Sequence, residues 1–106
     1  MTVLGLDVGT TAAKATVFDA AGERLDHAEI VYPDMDPAAQ DPEVVVDAAM
    51  RAMQQVEAST VSCCTAMHGL VALDEHDKPL TPLLTWADTR AARQRARARP
   101  SARAGP

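Results

Sequence analysis

Four residues near the start of the chain could bind a polyphosphate together with a divalent cation. Asp7 follows a short apolar run that predicts a buried strand, and Gly9, Thr10 and Thr11 form a turn after it. Glycine lets a ligand oxygen approach the backbone closely, and the threonines add hydrogen-bond donors. Mg²⁺ suits one such carboxylate, because it takes one or two carboxylates and keeps several waters. The alternative is an ordinary β-hairpin with a glycine turn.

Polar residues also follow two later extended stretches. His68 and Gly69 end a predicted strand, at the edge where α/β folds bind ligands, although a lone histidine there is more often structural. Trp86 stands close to Asp88 and Arg90. A flat ring beside a carboxylate and a guanidinium suits a polyol or a sugar acid. The alternative for this group is a buried tryptophan followed by an N-cap, Asp88, that starts a helix.

The hydrophobic pattern predicts the elements that position these residues. Three strands joined by short turns form an antiparallel meander, with the second at Lys14–Phe18 and the third at Arg24–Tyr32. Asp41 caps a helix, and a later strand covers Thr60–Met67. The apolar stripe of the helix consists of Val45, Ala49, Ala52, Met53 and Val56. The fold class is therefore α/β, a mixed sheet with three leading antiparallel strands and a helix.

The composition is that of a soluble globular protein. The 106 residues carry a net charge of −5, and 47% of them are hydrophobic. No run approaches the roughly 20 apolar residues of a membrane span, and the first residues lack a basic signal-peptide start, so we expect a cytoplasmic protein without membrane contact. Cys63 and Cys64 point to opposite faces of a strand, which argues against a disulfide and predicts two buried thiols.

The sign of the charge changes near residue 90. Residues 1–89 contain all fifteen acidic residues but four of the ten basic ones, whereas 90–106 contain six arginines. Residues 94–106 lack large apolar side chains, so we expect a disordered Arg/Ala/Pro-rich tail after a domain that spans 1–93. We interpret the tail as a continuation interrupted by a reading-frame slip. The alternative is a basic arm that binds nucleic acid or another polyanion.

Three stretches, in this order, resemble the N-terminal part of FGGY-family carbohydrate kinases: LGLDVGTTAAKATVFDAAGE, DPEVVVDAAMRAM and AMHGLVALDEHDKPLTPLLTWADTRAA. The resemblance runs from residue 3 to about residue 93. It implies an RNase H-like fold of the actin/Hsp70/sugar kinase superfamily, with ATP and sugar in a cleft between two domains. Within the family, the chain resembles gluconokinases in Met67-His68, the phrase KPLTPLLTWAD and Arg90. Met67-His68-Gly69 also fits xylulokinases, which tend to have Asn-Asp where this chain has Ala87-Asp88.

The resemblance implies a role for each matched residue. Asp7 would serve the Mg²⁺ and phosphate end, and Gly9, Thr10 and Thr11 would hold the phosphate transferred from ATP. Lys14 would add positive charge beside that phosphate. The sugar side would be lined by Met67, His68, Gly69, Trp86, Asp88 and Arg90.

The resemblance also implies what this chain lacks. The catalytic base of the family is expected beyond residue 106, so we expect the chain alone to transfer no phosphate to gluconate, its favoured substrate. Three alternatives remain: a xylulokinase-type enzyme, a nucleotide-binding or chaperone-like protein, and a non-catalytic interaction module. The MHG and TWADTR segments argue against the chaperone-like class. An uncovered sheet edge would favour self-association.

Overall fold

Two sheets and two helices make up the part of the chain that the computed structural model describes, residues 1–90 and 92–98. The elements are β1 Thr2–Val8, β2 Ala12–Asp19, β3 Arg24–Val31, β4 Ala39–Gln40, α1 Pro42–Gln54, β5 Thr60–Thr65, β6 Leu83–Leu84 and α2 Ala92–Ala98. The main sheet has the order β3-β2-β1-β5, and β4 pairs with β6 in a small second sheet.

The main sheet is mixed, as the sequence predicts. β1 and β3 both pair antiparallel with β2, whereas β5 pairs parallel with β1. Two parallel neighbours end at the same edge of a sheet, so the segments after β1 and β5 lie side by side. This edge carries the predicted binding residues that follow both strands. The polar residues after β6 are connected to this edge through β4, as described below.

The hydrophobic core lies between α1 and one face of β1, β2 and β3. Its strand residues alternate along the chain, as expected where one face of a sheet is covered. Alanines are frequent in the core, and their small side chains let the helix approach the sheet closely. The buried cluster consists of Leu4, Leu6, Ala13, Ala15, Val17, Ala28, Tyr32, Val45, Ala48, Ala49, Ala52 and Val56. The predicted apolar stripe of the helix is confirmed, with Met53 packed partly buried against it.

The N-terminus of α1 has the predicted cap. Asp41 has extended backbone geometry, and its Oδ1 accepts a hydrogen bond of 3.0 Å from the Glu43 N–H. Pro42 occupies the first helical position, where its missing N–H costs nothing. The cap fixes the helix start directly after β4, so the short strand and the helix are held as one unit.

β5 differs from the sequence expectation because no part of the chain that the structure describes covers it. All six of its residues are exposed, including Cys63 and Cys64. The prediction of buried thiols is therefore wrong. The physical reason is that α1 packs on β1, β2 and β3, which leaves both faces of β5 open within the described residues. Strand alternation correctly separates the two thiols, but it does not say how far the helix extends over the sheet.

The predicted tail begins in a helix. α2 covers Ala92–Ala98 and so includes residues 94–98 of the predicted tail, in keeping with the helix propensity of Ala and Arg. The rest of the predicted tail, 99–106, lies outside the described residues. Within the described residues, no helix is long and apolar enough to cross a membrane.

We expect Asp41→Ala to lower the free energy of unfolding by about 1 kcal/mol, because the Glu43 N–H in the first helical turn would lose its acceptor side chain. Urea unfolding followed by circular dichroism measures this loss. Asp47→Ala is the matched control, since Asp47 is exposed and forms a 3.6 Å ion pair with Arg51. Equal losses in the two variants would contradict the capping role.

Candidate functional site

The turn between β1 and β2 is the centre of the candidate site. We call residues Gly9–Thr11 the tip loop. The Gly9 N–H donates to the Ala12 carbonyl at 3.0 Å, which closes the turn. A Cβ at Gly9 would lie 3.2 Å from that carbonyl oxygen and 3.9 Å from Asp7 Oδ1. Crowding, rather than an unusual backbone angle, therefore favours the glycine, and a small residue keeps the approach to Asp7 open.

Asp7 lies on the sheet face that is turned away from α1. It is exposed within β1, and the strand register places it directly opposite Lys14 on β2 and Cys64 on β5. Directly paired residues share a face and lie within about 5.5 Å at Cβ. The strand register thus brings Asp7 close to Lys14, and both lie near the tip loop.

The donor set fits Mg²⁺ better than a metal held by protein alone. Among the described residues, no group of three His, Cys, Asp or Glu side chains converges on one point. Asp7 offers one hard oxygen ligand beside a turn that leaves room for phosphate oxygens. This arrangement is typical of Mg²⁺, which is often bound through one or two carboxylates together with substrate phosphates and waters.

Cys64 is a neighbour of Asp7 that the sequence analysis assigned to the core. Its thiol donates to Asp7 Oδ1 across 3.8 Å. Partial desolvation raises the pKa of the Cys64 thiol above its usual value, and the negative charge of Asp7 raises it further. The position of Cys64 beside Asp7 follows from the parallel register of β1 and β5, which the sequence does not reveal.

Two buried polar side chains hold the tip loop from behind. The Tyr32 hydroxyl donates to the Gly9 carbonyl at 2.9 Å, and Gln40 Nε2 donates to the Thr10 carbonyl at 2.6 Å. The Tyr32 N–H also donates to the Thr11 carbonyl at 2.9 Å. Burial raises the pKa of Tyr32, with a smaller contribution from Asp7. Neither residue is predicted from the sequence, since a tyrosine at a strand end and a glutamine before a cap carry no motif of their own.

Met67, His68 and Gly69 follow β5 at the same sheet edge as the tip loop. The Ala66 N–H donates to the Val8 carbonyl at 3.2 Å, which extends the parallel pairing as far as the beginning of this segment. β5 ends at Thr65, two residues before the predicted end at Met67, so all three residues lie beyond the strand, and all three are exposed. His68 has a φ of 61°, in the left-handed region that non-glycine residues seldom adopt. Such strain is frequent at binding sites.

The Trp86 segment forms a tight polar turn. Trp86 is 71% exposed, so the alternative of a buried tryptophan is wrong. Asp88 accepts hydrogen bonds from Arg90, at 2.9 Å from the backbone N–H and 2.8 Å from Nε. These bonds lower the pKa of the Asp88 carboxyl, and the bond from the Arg90 backbone N–H has the largest effect. α2 begins at Ala92. Asp88 therefore stabilises the turn that comes before α2 and does not cap the helix.

A continuous path of hydrogen bonds joins this segment to the tip loop. Gln40 bonds to Thr10, and the strand that contains Gln40 pairs with β6, which leads into Thr85 and Trp86. The Thr85 N–H in turn donates to the Ala38 carbonyl at 3.2 Å. A hollow of about 430 Å³ beside the tip loop is lined by Thr10 and Gln40 among others, but its lining does not include Trp86. The two predicted halves of the site are connected, although they do not line this one hollow together.

Comparison with known proteins identifies the class to which this fold and edge belong. The model of the FGGY family of carbohydrate kinases, N-terminal domain, matches residues 2–100. The chain belongs to this family. The match extends beyond residue 93, where the sequence resemblance was placed.

Individual relatives include two kinds of sugar kinase. The chain is 38% identical to a gluconokinase of Bacillus subtilis over 99 residues, which cover 83% of this chain and 19% of that protein. It is 36% identical to a xylulose kinase of Streptomyces rubiginosus over 100 residues, 87% of this chain and 21% of that protein. The crystal structure of a gluconate kinase from Lactobacillus acidophilus superimposes with a TM-score of 0.78 at 30% identity, covering 91% of this chain and 22% of that chain. The chain thus spans about a fifth of the length of these relatives.

We expect Asp7→Asn to speed the alkylation of Cys64. Loss of the negative charge lowers the pKa of the thiol, so a larger fraction is thiolate at a fixed, mildly alkaline pH. The rate is measured with iodoacetamide in a Cys63→Ser background, with Asp26→Asn as the control for a charge removed elsewhere on the sheet. An unchanged or slower rate in the Asp7 variant would contradict the contact between the two side chains.

Proposed function

We propose that this chain supplies the phosphate loop and part of the sugar site of a kinase that transfers phosphate from ATP to gluconate. The observation that carries the proposal is the parallel pairing of β1 with β5. It brings the tip loop and the segment Met67–Gly69 to one edge of the sheet. A phosphate donor and a hydroxyl acceptor must approach each other closely for transfer, and this edge offers adjacent places for both.

On the phosphate side, Asp7 would hold Mg²⁺ directly or through its waters. The ion, when bound, would neutralise charge on the phosphate oxygens. Lys14 lies opposite Asp7 on the exposed face and would add positive charge near the phosphate that is transferred. The Thr10 and Thr11 side chains are exposed and would donate their hydroxyl groups to the same oxygens.

On the sugar side, the turn at Trp86 supports a sugar acid. The exposed Trp86 ring would cover C–H surface of the substrate, together with Met67 and His68. Arg90 binds Asp88 through Nε, and its terminal nitrogens make no hydrogen bond to the described residues. Those nitrogens would bind the carboxylate of gluconate in a charge-assisted pair. Xylulose has no carboxylate, and this difference is why we favour gluconate; a xylulokinase-type activity is the alternative.

None of the described side chains is a good candidate for the base that accepts the proton of the sugar hydroxyl. The pKa of Asp88 is lowered by its bonds to Arg90, so it is a poor proton acceptor. Asp7 lies on the phosphate side. We therefore propose that residues 1–93 form an incomplete N-terminal kinase domain and that transfer requires residues outside this chain.

The substrate proposal is tested by a chimera in which residues 1–90 replace the matching segment of the Bacillus subtilis gluconokinase. We expect the chimera to phosphorylate gluconate and to use xylulose poorly. Arg90→Met should raise the KM for gluconate about tenfold or more, since a charge-assisted contact is lost. Arg24→Met, on the exposed outer strand, is the matched control. A preference for xylulose, or an unchanged KM in the Arg90 variant, would contradict the assignment.

We expect the isolated chain to form no 6-phosphogluconate from ATP, Mg²⁺ and gluconate, because none of its described side chains is a good candidate for the base on the sugar side. A coupled dehydrogenase assay at high protein concentration measures the product. The active chimera is the positive control. Steady product formation by the purified chain would show that the required base is already present.

A further inference from the structure

We propose that Tyr32 and Gln40 are positioning residues for the phosphate site: they hold the backbone of the tip loop so that the N–H groups of Thr10 and Thr11 point toward bound phosphate. The inference rests on the proposed function and extends it to two residues that touch neither phosphate nor sugar. Its basis is a set of hydrogen bonds behind the loop.

The geometry of the peptide unit links the two sides of the tip loop. In a planar trans peptide, the C=O of one residue and the N–H of the next point in opposite directions. The Gly9 carbonyl is held by the Tyr32 hydroxyl, so the N–H of Thr10 points away from Tyr32. The Thr10 carbonyl is held by Gln40, so the N–H of Thr11 points away from Gln40.

Both N–H groups are available to a ligand. Neither the Thr10 nor the Thr11 N–H donates to a protein acceptor among the described residues, and both residues are exposed. Successive backbone N–H groups that face the same side form an anion-binding concavity. Reversal of either peptide would present a carbonyl oxygen to the phosphate and repel it. The two hydrogen bonds from behind oppose that reversal.

Tyr32 and Gln40 are well placed to resist movement. Tyr32 is 7% exposed and Gln40 is 4% exposed, so both donors are packed in the protein interior. Tyr32 directly follows β3. Its own N–H donates to the Thr11 carbonyl and so extends the pairing of β3 with β2 into the tip loop. Gln40 ends β4 and directly precedes Asp41, the helix cap. A buried donor that loses its acceptor is costly, which makes these contacts persistent.

Binding of inorganic tripolyphosphate with Mg²⁺ tests the proposal on the intact chain. Tyr32→Phe and Gln40→Met each remove one donor while they keep the volume of the side chain. We expect each variant to bind about fivefold more weakly in calorimetry or in an NMR titration, as for the loss of one neutral hydrogen bond. Gln54→Met is the matched control, because Gln54 is exposed near the end of α1.

A spectroscopic measurement separates positioning from general stability. Without ligand, we expect the amide resonances of Thr10 and Thr11 to shift or broaden in both variants, while the resonances of α1 and the circular dichroism stay unchanged. Unchanged Thr10 and Thr11 resonances, or tripolyphosphate binding as tight as that of the unmodified chain, would overturn the inference and leave the proposed function intact. If the unmodified chain fails to bind tripolyphosphate at millimolar concentration, both the inference and the proposed phosphate role are wrong.

Discussion

The parallel pairing of β1 with β5 is the contact on which the rest of the site depends. β1 also pairs with β2, so the turn at its end is fixed between two strands while its other neighbour brings Met67–Gly69 alongside. Without the parallel register, Asp7 would have no relation to residues almost sixty positions later in the chain. The core between α1 and the meander supplies the stability that holds β1 in place.

A second set of contacts connects the tip loop to the turn that contains Trp86. Gln40 belongs to β4, bonds to the tip loop, and stands next to the capped start of α1. β6 pairs with β4 and continues into the turn of Asp88 and Arg90. The same few residues therefore place two polar regions relative to one rigid helix. Such support from rigid elements is what a site needs if its groups are to stay in productive geometry.

Local signals in the sequence were sufficient for the elements and for the positions of the motifs. The cap at Asp41 and the alternation in the first three strands depend on neighbouring residues alone, and the structure agrees with them. Contacts between distant segments could not be predicted in the same way. The exposure of Cys63 depends on where α1 ends over the sheet, and the roles of Tyr32 and Gln40 depend on carbonyl groups of another turn.

The Trp86 turn shows the same limit at the candidate site. Its residue types indicated a surface suited to a polyol, but spacing alone gave equal support to a buried ring. The structure decides for exposure, and it shows that Asp88 and Arg90 bind each other. The pairing matters for chemistry because it changes which atoms of each side chain are available. A carboxylate that accepts two hydrogen bonds from its neighbour has a lowered pKa and is a weaker proton acceptor than a free one.

The most direct test of the account is whether a single nucleotide–metal complex senses both segments at the sheet edge. Mn²⁺ with ATP, added to the ¹⁵N-labelled chain, broadens the amide resonances of groups close to the metal. The account predicts broadening of the tip loop and of Met67–Gly69 in the same spectrum, with α1 unaffected. Broadening confined to the acidic surface of α1, or absent from the tip loop, would contradict it.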